Sequence, residues 1–287
     1  MYADLARLLD PDVRYGDRKP QHNAELDPHW NVSFHHGLLD GPLGMGQTYA
    51  TRGRVGFETT AGGASYGLTQ DGRGLKLPGA TSGVSTNAAG SISWWPSLTR
   101  GSIIAAFRAA WAASSPPVGN MQIGAIHNTT GGDWICQFGV LFSGALYFGW
   151  LNNGVESRVL AVSATGLWAA GDLVTIGFSY SPRGSQAFVK GRQIGSTSTP
   201  PSTFDKRNDA NTVLGLGYDP KSGSNTSWQS TILNFTVLDR ELDEREWGWI
   251  QQNPLSWQYR PGTIANMITP AVVPPPAGPL QTAVSMM

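Results

Sequence analysis

The sequence predicts an all-β protein, and two observations support this prediction. Among 287 residues there are 36 glycines, 19 prolines and 11 tryptophans, a composition typical of many tight turns around an aromatic-rich interior. Between about residues 31 and 259, short apolar or alternating runs are separated by turn residues, as is expected of strands. We therefore expect one β domain over 31–259, with an N-terminal arm at 1–30 and a proline-rich C-terminal arm at 260–287.

The strands are predicted in order along this domain. The stretch IIAAFRAAWAA contains helix-forming alanines, but Phe107, Ala109 and Trp111 alternate with Arg108, which favours a strand. The stretch GVLFSGALYFGWLNNGVESRVLAV predicts a meander with turns near SG and NNG. Later runs predict strands within 173–180, 185–196, 212–217 and 230–238.

The stretch ELDERE, from Glu241 to Glu246, has the spacing E-x-D-x-x-E that one group of glucanases uses for its catalytic carboxylates. In a strand, Glu241 and Asp243 would share a face, whereas Glu246 would point to the opposite face. On a helix, Glu241 and Glu246 could not reach the separation of about 5 Å that a retaining glycosidase needs. We therefore favour a structural role for this stretch.

A helix start accounts for the same residues. Asp243 is placed as the N-cap, Glu246 closes a capping box three residues later, and Leu242 can pack on Trp247 as a hydrophobic staple. Acidic residues in the first turn suit the helix dipole, and Pro254 ends the helix. The sequence therefore predicts a short C-terminal helix with a structural cap formed by Leu242, Asp243, Glu246 and Trp247.

Three segments together resemble the C-terminal half of a concanavalin A-like, laminin G-type jelly-roll domain: AFVKG (187–191), VLGLG (213–217) and DREL through NPLSW (239–257). The resemblance covers about residues 90–259. Lys190 stands where the pattern usually has an asparagine, and Asp243 where it usually has a serine cap. The resemblance implies an antiparallel jelly-roll β-sandwich, in the variant that recurs in bacteriophage and prophage structural proteins.

Charge and patterning exclude several classes of protein. The net charge is 0 and only 14% of residues are charged, so we expect no nucleic-acid partner. No apolar run is long enough to span a membrane, and the start lacks the pattern of a signal peptide, so we expect neither a membrane partner nor secretion. Cys136, the single cysteine, lies in the apolar run WICQFG and is predicted to be a small buried hydrophobe.

Sugar binding would need exposed aromatic rings with polar groups nearby. Tryptophans in or near predicted turns are the carbohydrate-binding candidates, namely Trp94, Trp95, Trp134, Trp150 and Trp228. Each could instead belong to the core. Asp219, in the loop GYDPKSGSN, is a calcium candidate, although such a turn needs no metal. His29, His35 and His36 lack further ligands at zinc spacing, so no other cofactor is expected.

Function follows from these sites and from the arms. The acidic residues are scattered, without an i, i+2 pair on a strand, so we expect no enzyme, and a glycoside hydrolase is the third reading. The N-terminal arm is polar and the prolines of the C-terminal arm forbid regular structure, so neither is expected to fold alone and both are expected to lie on neighbouring subunits. The first hypothesis is therefore a bacteriophage virion protein, made in a host cytoplasm, which contacts itself and other virion proteins. It would be a capsid decoration, fibre or minor structural component with the domain facing outward.

The alternative is a lectin-like module that binds cell-surface glycans for host attachment.

Overall fold

The computed structural model describes residues 32–37, 48–49, 56–86, 100–117, 119–128, 134–152, 155–197, 212–219, 227–252 and 254. The predicted arms at 1–30 and 260–287 lie outside these residues, as do Trp94 and Trp95. Within this part of the chain, no helix is both long enough and apolar enough to cross a membrane.

The described residues form sixteen strands and one helix. In chain order these are β1 (Val32–Gly37), β2 (Thr48–Tyr49), β3 (Gly56–Ala61), β4 (Ser65–Thr69), β5 (Gly72–Lys76), β6 (Gly83–Thr86), β7 (Gly101–Arg108), β8 (Met121–Asn128), β9 (Trp134–Val140), β10 (Ala145–Asn152), β11 (Val155–Ser163), β12 (Leu173–Ser181), β13 (Gly184–Val189), β14 (Arg192–Thr197), β15 (Thr212–Leu216), β16 (Thr231–Leu238) and α1 (Glu244–Gln252).

The strands make two antiparallel sheets. The first has the order β14-β13-β12-β7-β16-β5-β4, with β1 also paired to β16, and the second has the order β11-β10-β9-β8-β15-β6-β3-β2. Strands that are distant in sequence, such as β7 and β16, are neighbours in the first sheet. The prediction of an all-β antiparallel sandwich with a short helix near the C-terminal end of the domain is confirmed.

Alternating side chains of the two sheets meet in one core. On β12 the inward-facing residues include Ile176 and Phe178, which are fully buried. The ring of Phe178 stacks on Phe148 from the second sheet, with centroids 5.3 Å apart. Cys136 is buried in the same core, as its apolar surroundings predict, and burial raises the pKa of its thiol far above the usual value.

A two-residue turn joins β13 to β14. Lys190 and Gly191 have φ angles of +49° and +74°, the left-handed pair that a type I′ hairpin turn requires. Asparagine tolerates this conformation better than lysine does. Here the Lys190 Nζ atom lies 2.6 Å from Oδ2 of Asp172, so an ion pair accompanies the less favourable backbone.

The helix α1 lies on the outer face of the first sheet and begins at a reciprocal cap. The Glu246 amide donates to Oδ1 of Asp243 at 2.9 Å, and the Asp243 amide donates to Oε2 of Glu246 at 3.0 Å. Leu242 and Trp247 are both fully buried in one cluster beneath the helix, and the ring of Trp247 stacks on Phe188 at 4.8 Å. This arrangement has the bonds of a capping box together with the apolar pair of a staple.

Candidate functional site

Three connections meet at one end of the sandwich. They join β7 to β8 (109–120), β9 to β10 (141–144) and β11 to β12 (164–172). The amide of Ala113 donates to the carbonyl of Trp168 at 3.0 Å, and the amide of Ala164 donates to the carbonyl of Gly144 at 3.0 Å. The connections are thus held together as one surface, which we call the loop end.

Four aromatic rings fill the interior beneath the loop end. Phe107 packs edge-on against Trp168 and Trp228, with centroids 5.7 and 5.0 Å away. Trp111 contacts the same two rings at 5.4 and 5.3 Å, and its Nε1 donates to the carbonyl of Trp228 at 2.9 Å. Trp228 is 0% exposed. Because its ring is enclosed in the core, Trp228 cannot stack on a sugar, and that candidate is withdrawn.

Phe142 differs from these rings because 72% of its surface is exposed. It lies in the β9–β10 turn, where the Leu141 amide donates to Ala145 and the Gly144 amide donates to Leu141, both at 2.8 Å. The Phe142 amide donates to Oδ1 of Asn120 at 3.3 Å. These bonds fix the turn, so the loop end presents a large apolar ring to solvent on a well-defined backbone.

The other exposed side chains of the loop end are small: those of Ala110, Pro117, Ala169 and Ala170 are apolar, and the rest are polar. The polar ones include Ser114, Ser115, Asn120, Ser143 and Thr165. Gly144 sits against the Thr165 hydroxyl and the Ala113 carbonyl, where an added Cβ would lie 3.2 and 3.4 Å from them. The β9–β10 turn is therefore seated closely on its neighbours, and Phe142 is flanked by hydroxyl and amide groups.

The sequence predicts the turn near SG but does not single out Phe142. The sequence feature that points to an exposed ring is a large apolar residue inside a short predicted turn. Neither the alternation of a strand nor the periodicity of a helix places such a side chain in the core. Only the bonds to Asn120 and within the turn, which depend on the fold, show that the ring is held outward.

Two further tryptophan candidates lie in the second sheet. Trp134 is at the start of β9, where its Cα partner is His127 on β8. Trp150 is on β10, opposite Cys136. The backbone therefore brings these two residues to the same end of neighbouring strands, away from the loop end. Their use in binding remains a prediction.

A layer of buried polar side chains covers the outer face of the second sheet. The amide nitrogen of Gln122 donates to the Tyr147 hydroxyl, which in turn donates to Oε1 of Gln137 at 3.3 Å. The Tyr218 hydroxyl donates to Oγ of Ser85 at 3.0 Å. Burial, and the nearby Asp219 carboxylate to a smaller extent, raise the pKa of Tyr218, so this phenol is a neutral donor at physiological pH.

Asp219, the calcium candidate, belongs to the same layer. Its Oδ1 lies 2.6 Å from Nε2 of His127, and both side chains are buried. In the described part of the chain, no group of three or more His, Cys, Asp or Glu side chains is placed to hold a metal ion. Calcium takes about six to eight oxygen ligands, and a carboxylate beside an imidazole does not supply such a set. Residues 220–225 of its loop lie outside the described residues, so calcium at Asp219 stays a prediction.

The carboxylates of ELDERE make structural contacts. Oε2 of Glu246, besides closing the cap, accepts a bond from Nη1 of Arg240 at 3.0 Å. Glu241 pairs with the exposed Arg183 at 3.0 Å. Glu246 thus joins the helix start to the segment before it, and Glu241 holds a surface arginine.

Comparison with known proteins finds structures with a similar fold but does not place the chain in a family. No protein family and no curated protein matches the sequence. The chain is similar to the binding domain of Paraclostridial Mosquitocidal Protein 1, at 13% identity and a TM-score of 0.53, covering 78% of this chain and 52% of that one. It is also similar to the Trypanosoma rangeli sialidase in complex with sialic acid, at 12% identity and a TM-score of 0.51, covering 80% and 34%. The chain thus spans about half of the first structure and about a third of the second.

Proposed function

We propose that this protein is a non-catalytic binding module that recognises glycans through the loop end. The observation that carries the proposal is Phe142, which is 72% exposed on a turn held by hydrogen bonds. Because the backbone of the turn is already fixed by hydrogen bonds, only the side chain has to be ordered on binding, so less of the interaction energy is lost on association. A single exposed apolar side chain is common on protein surfaces, but this ring stands on a turn whose backbone is fixed by hydrogen bonds.

Sugar chemistry suits this surface better than a purely apolar ligand. The negative face of an aromatic ring attracts the polarised C–H groups on one face of a pyranose. Around Phe142, the hydroxyls of Ser143 and Thr165 and the amide of Asn120 are exposed and can bond to sugar hydroxyls. Oδ1 of Asn120 accepts from the Phe142 backbone, which leaves its Nδ2 group to donate to a ligand.

The comparisons support a binding role through the fold alone. One similar structure is described as a binding domain, and another holds sialic acid. Folds of this kind host both binding and catalysis, so the site must decide. At the loop end the groups beside Phe142 are neutral, and the one carboxylate there, that of Asp172, is paired with Lys190; the proposal is therefore non-catalytic.

The virion hypothesis is a second proposal about where such a module acts. Its basis is the polar arm at 1–30, the proline-rich arm at 260–287 and the resemblance to phage proteins. Density-gradient sedimentation of native source material tests it. Migration with large particles is the expected result, and recovery only as a slow species of about monomer mass would reject it.

The glycan proposal is tested with biotinylated protein assembled on streptavidin and applied to a glycan array. Multivalent display is needed because one exposed ring gives a weak site, with a Kd on the order of 1 mM. Wild type is compared with Phe142→Ala, Phe142→Leu and Phe142→Tyr. We expect tyrosine to retain binding, alanine to lose about 10-fold or more, and leucine to resemble alanine because it lacks an aromatic face.

Several outcomes would reject the proposal. Glycan binding that is unchanged in Phe142→Ala would place the site elsewhere. The absence of glycan binding, combined with co-sedimentation of the wild type with phosphatidylcholine vesicles, would assign Phe142 to a lipid surface. Phe142 is outside the core, so all variants should unfold within about 0.5 kcal/mol of wild type, and changes in binding then report the site alone.

A further inference from the structure

Asp172, the last residue of the third connection, is the one ionisable residue in the three connections of the loop end. The connections otherwise read AAWAASSPPVGN over 109–120, LFSG over 141–144 and ATGLWAAG over 164–171. The two charged side chains next to them in the sequence, Arg108 and Asp172, are each in an ion pair. Asp172 lies 2.6 Å from Nζ of Lys190, and the guanidinium of Arg108 holds Asp71, with Nε donating to Oδ2 at 2.7 Å. The residues 109–120, 141–144 and 164–171 of the loop end are therefore neutral, and the charges directly next to them in the sequence are paired.

A negatively charged ligand would be poorly accommodated on this surface. Contact with the ring of Phe142 would remove water from a carboxylate or sulfate without giving it a cation in exchange, which is costly. The face of the ring itself carries negative charge density and disfavours an anion above it. Lys190 and Arg108 already have carboxylate partners, so their use would require breaking an existing pair.

A neutral sugar meets neither difficulty. Its hydroxyl groups can exchange bonds with water for bonds to Ser143, Thr165 and the Nδ2 group of Asn120, all of which are exposed. The ring of Phe142 can cover one apolar face of one pyranose, since it projects from a turn and is not part of an enclosing pocket. The chemistry of this surface therefore selects against charge.

We infer that the ligand class is the neutral glycan, a hexose or N-acetylhexosamine residue without sialic acid, uronic acid or sulfate at the bound position. This inference rests on the proposed function, because it specifies which glycans the same site takes. It also separates this chain from the similar sialidase structure, which holds the acidic sugar sialic acid.

The test uses glycan pairs that differ only by one terminal sialic acid, immobilised at equal density. Wild type and Phe142→Ala are applied at about 0.05 M and about 0.5 M NaCl. We expect binding to the neutral member of each pair, a loss of about 10-fold or more on sialylation, and a change of less than about 2-fold between the two salt concentrations. Salt has little effect because no charge pair is formed.

Preference for the sialylated members, with binding that weakens at high salt and depends on Phe142, would overturn this inference and leave the proposed function in place. Equal binding to both members would overturn it as well, because the surface would then not discriminate by charge. Binding to neither member, with the vesicle assay also positive, would overturn the proposed function and the inference together.

Discussion

The indole Nε1 of Trp247 donates a hydrogen bond of 3.0 Å to Oγ of Ser179, and both groups are buried. This bond connects the helix to the outer face of β12. The same Oγ donates to the carbonyl of Leu242 at 3.1 Å. One serine hydroxyl thus satisfies polar groups on two sides of the helix start, in a place that water does not reach.

Replacing Ser179 by alanine is expected to destabilise the protein by about 1–3 kcal/mol, because the Trp247 N–H would remain buried without an acceptor. Urea denaturation followed by tryptophan fluorescence measures this. Ser196→Ala is the control, since Ser196 is exposed on β14, and it should change stability by less than about 0.5 kcal/mol. Equal effects of the two substitutions would show that the Ser179 bond contributes little.

Two glycines near the helix are expected to respond in opposite directions. A Cβ on Gly177 would clash with the Ile103 carbonyl and the ring of Trp247, so Gly177→Ala should cost about 3 kcal/mol or more by displacing the helix. A Cβ on Gly248, inside α1, would meet nothing within 4 Å. Gly248→Ala should therefore stabilise by about 0.5–1 kcal/mol. Thermal unfolding of both variants measures the difference, and a stable Gly177→Ala protein would contradict the close packing of the helix.

The helix cap predicts a modest and specific loss. Asp243→Ala removes the acceptor for the Glu246 amide and is expected to cost about 1 kcal/mol. Glu241→Gln alters only a pair with the exposed Arg183, so its effect should stay below about 0.5 kcal/mol. The denaturation midpoints of the two variants measure these losses of stability. A hydrolytic activity of wild type that is lost in Glu241→Gln would instead support the glycosidase hypothesis.

Acid sensitivity is predicted for the Asp172 and Lys190 pair. The hydrogen bond from Lys190, and next the one from the Ala169 amide, hold the pKa of Asp172 below its usual value. A lowered folded pKa contributes stability above the unfolded pKa of about 3.9 and loses it as pH falls through the folded value. The advantage of wild type over Asp172→Asn should therefore shrink between about pH 5 and pH 2. The effect is small because both side chains are about a third exposed, and an advantage that is constant with pH would contradict it.

Burial is expected to make Cys136 unreactive in the folded protein. Its pKa is raised, so the nucleophilic thiolate is scarce at pH 8. A thiol reagent such as DTNB should modify it only after denaturation, whereas Ser196→Cys should show one reactive thiol when native. The raised pKa also means that the stabilising contribution is complete below about pH 9 and falls as pH rises further. Rapid native labelling of wild type would show that the core opens near β9.

The sequence predicts local features of this fold well and distant contacts poorly. Alternation in β12 and β16 and the spacing from Asp243 to Glu246 depend on neighbours in the chain, and the structure contains these strands and this cap. Trp228 was a binding candidate because it follows a turn-rich segment. Its burial depends on Phe107, which the chain brings to it only through the pairing of β7 with β16.

Phe142 and the pair of His127 with Asp219 illustrate the same limit at the candidate sites. An exposed ring cannot be told from a buried one by composition, since the difference lies in whether another segment covers it. His127 and Asp219 lie on different strands and connections of the second sheet, and no spacing in the sequence relates them. In contrast, the sequence itself shows that the three connections of the loop end lack charged residues before Asp172, and only the fact that they meet in space depends on the fold.

The pairing of β1 with β16 also sets the distance between the two ends of the described residues. Val32 lies opposite Leu238, and the carbonyl of Pro254 accepts a bond of 2.9 Å from Asn234 on the same strand. Val32 and Pro254 therefore both lie alongside β16, next to residues about 14 Å apart by the rise of a strand. In a chain trimmed to 32–254, a short linker between the two ends would therefore suffice for circular permutation.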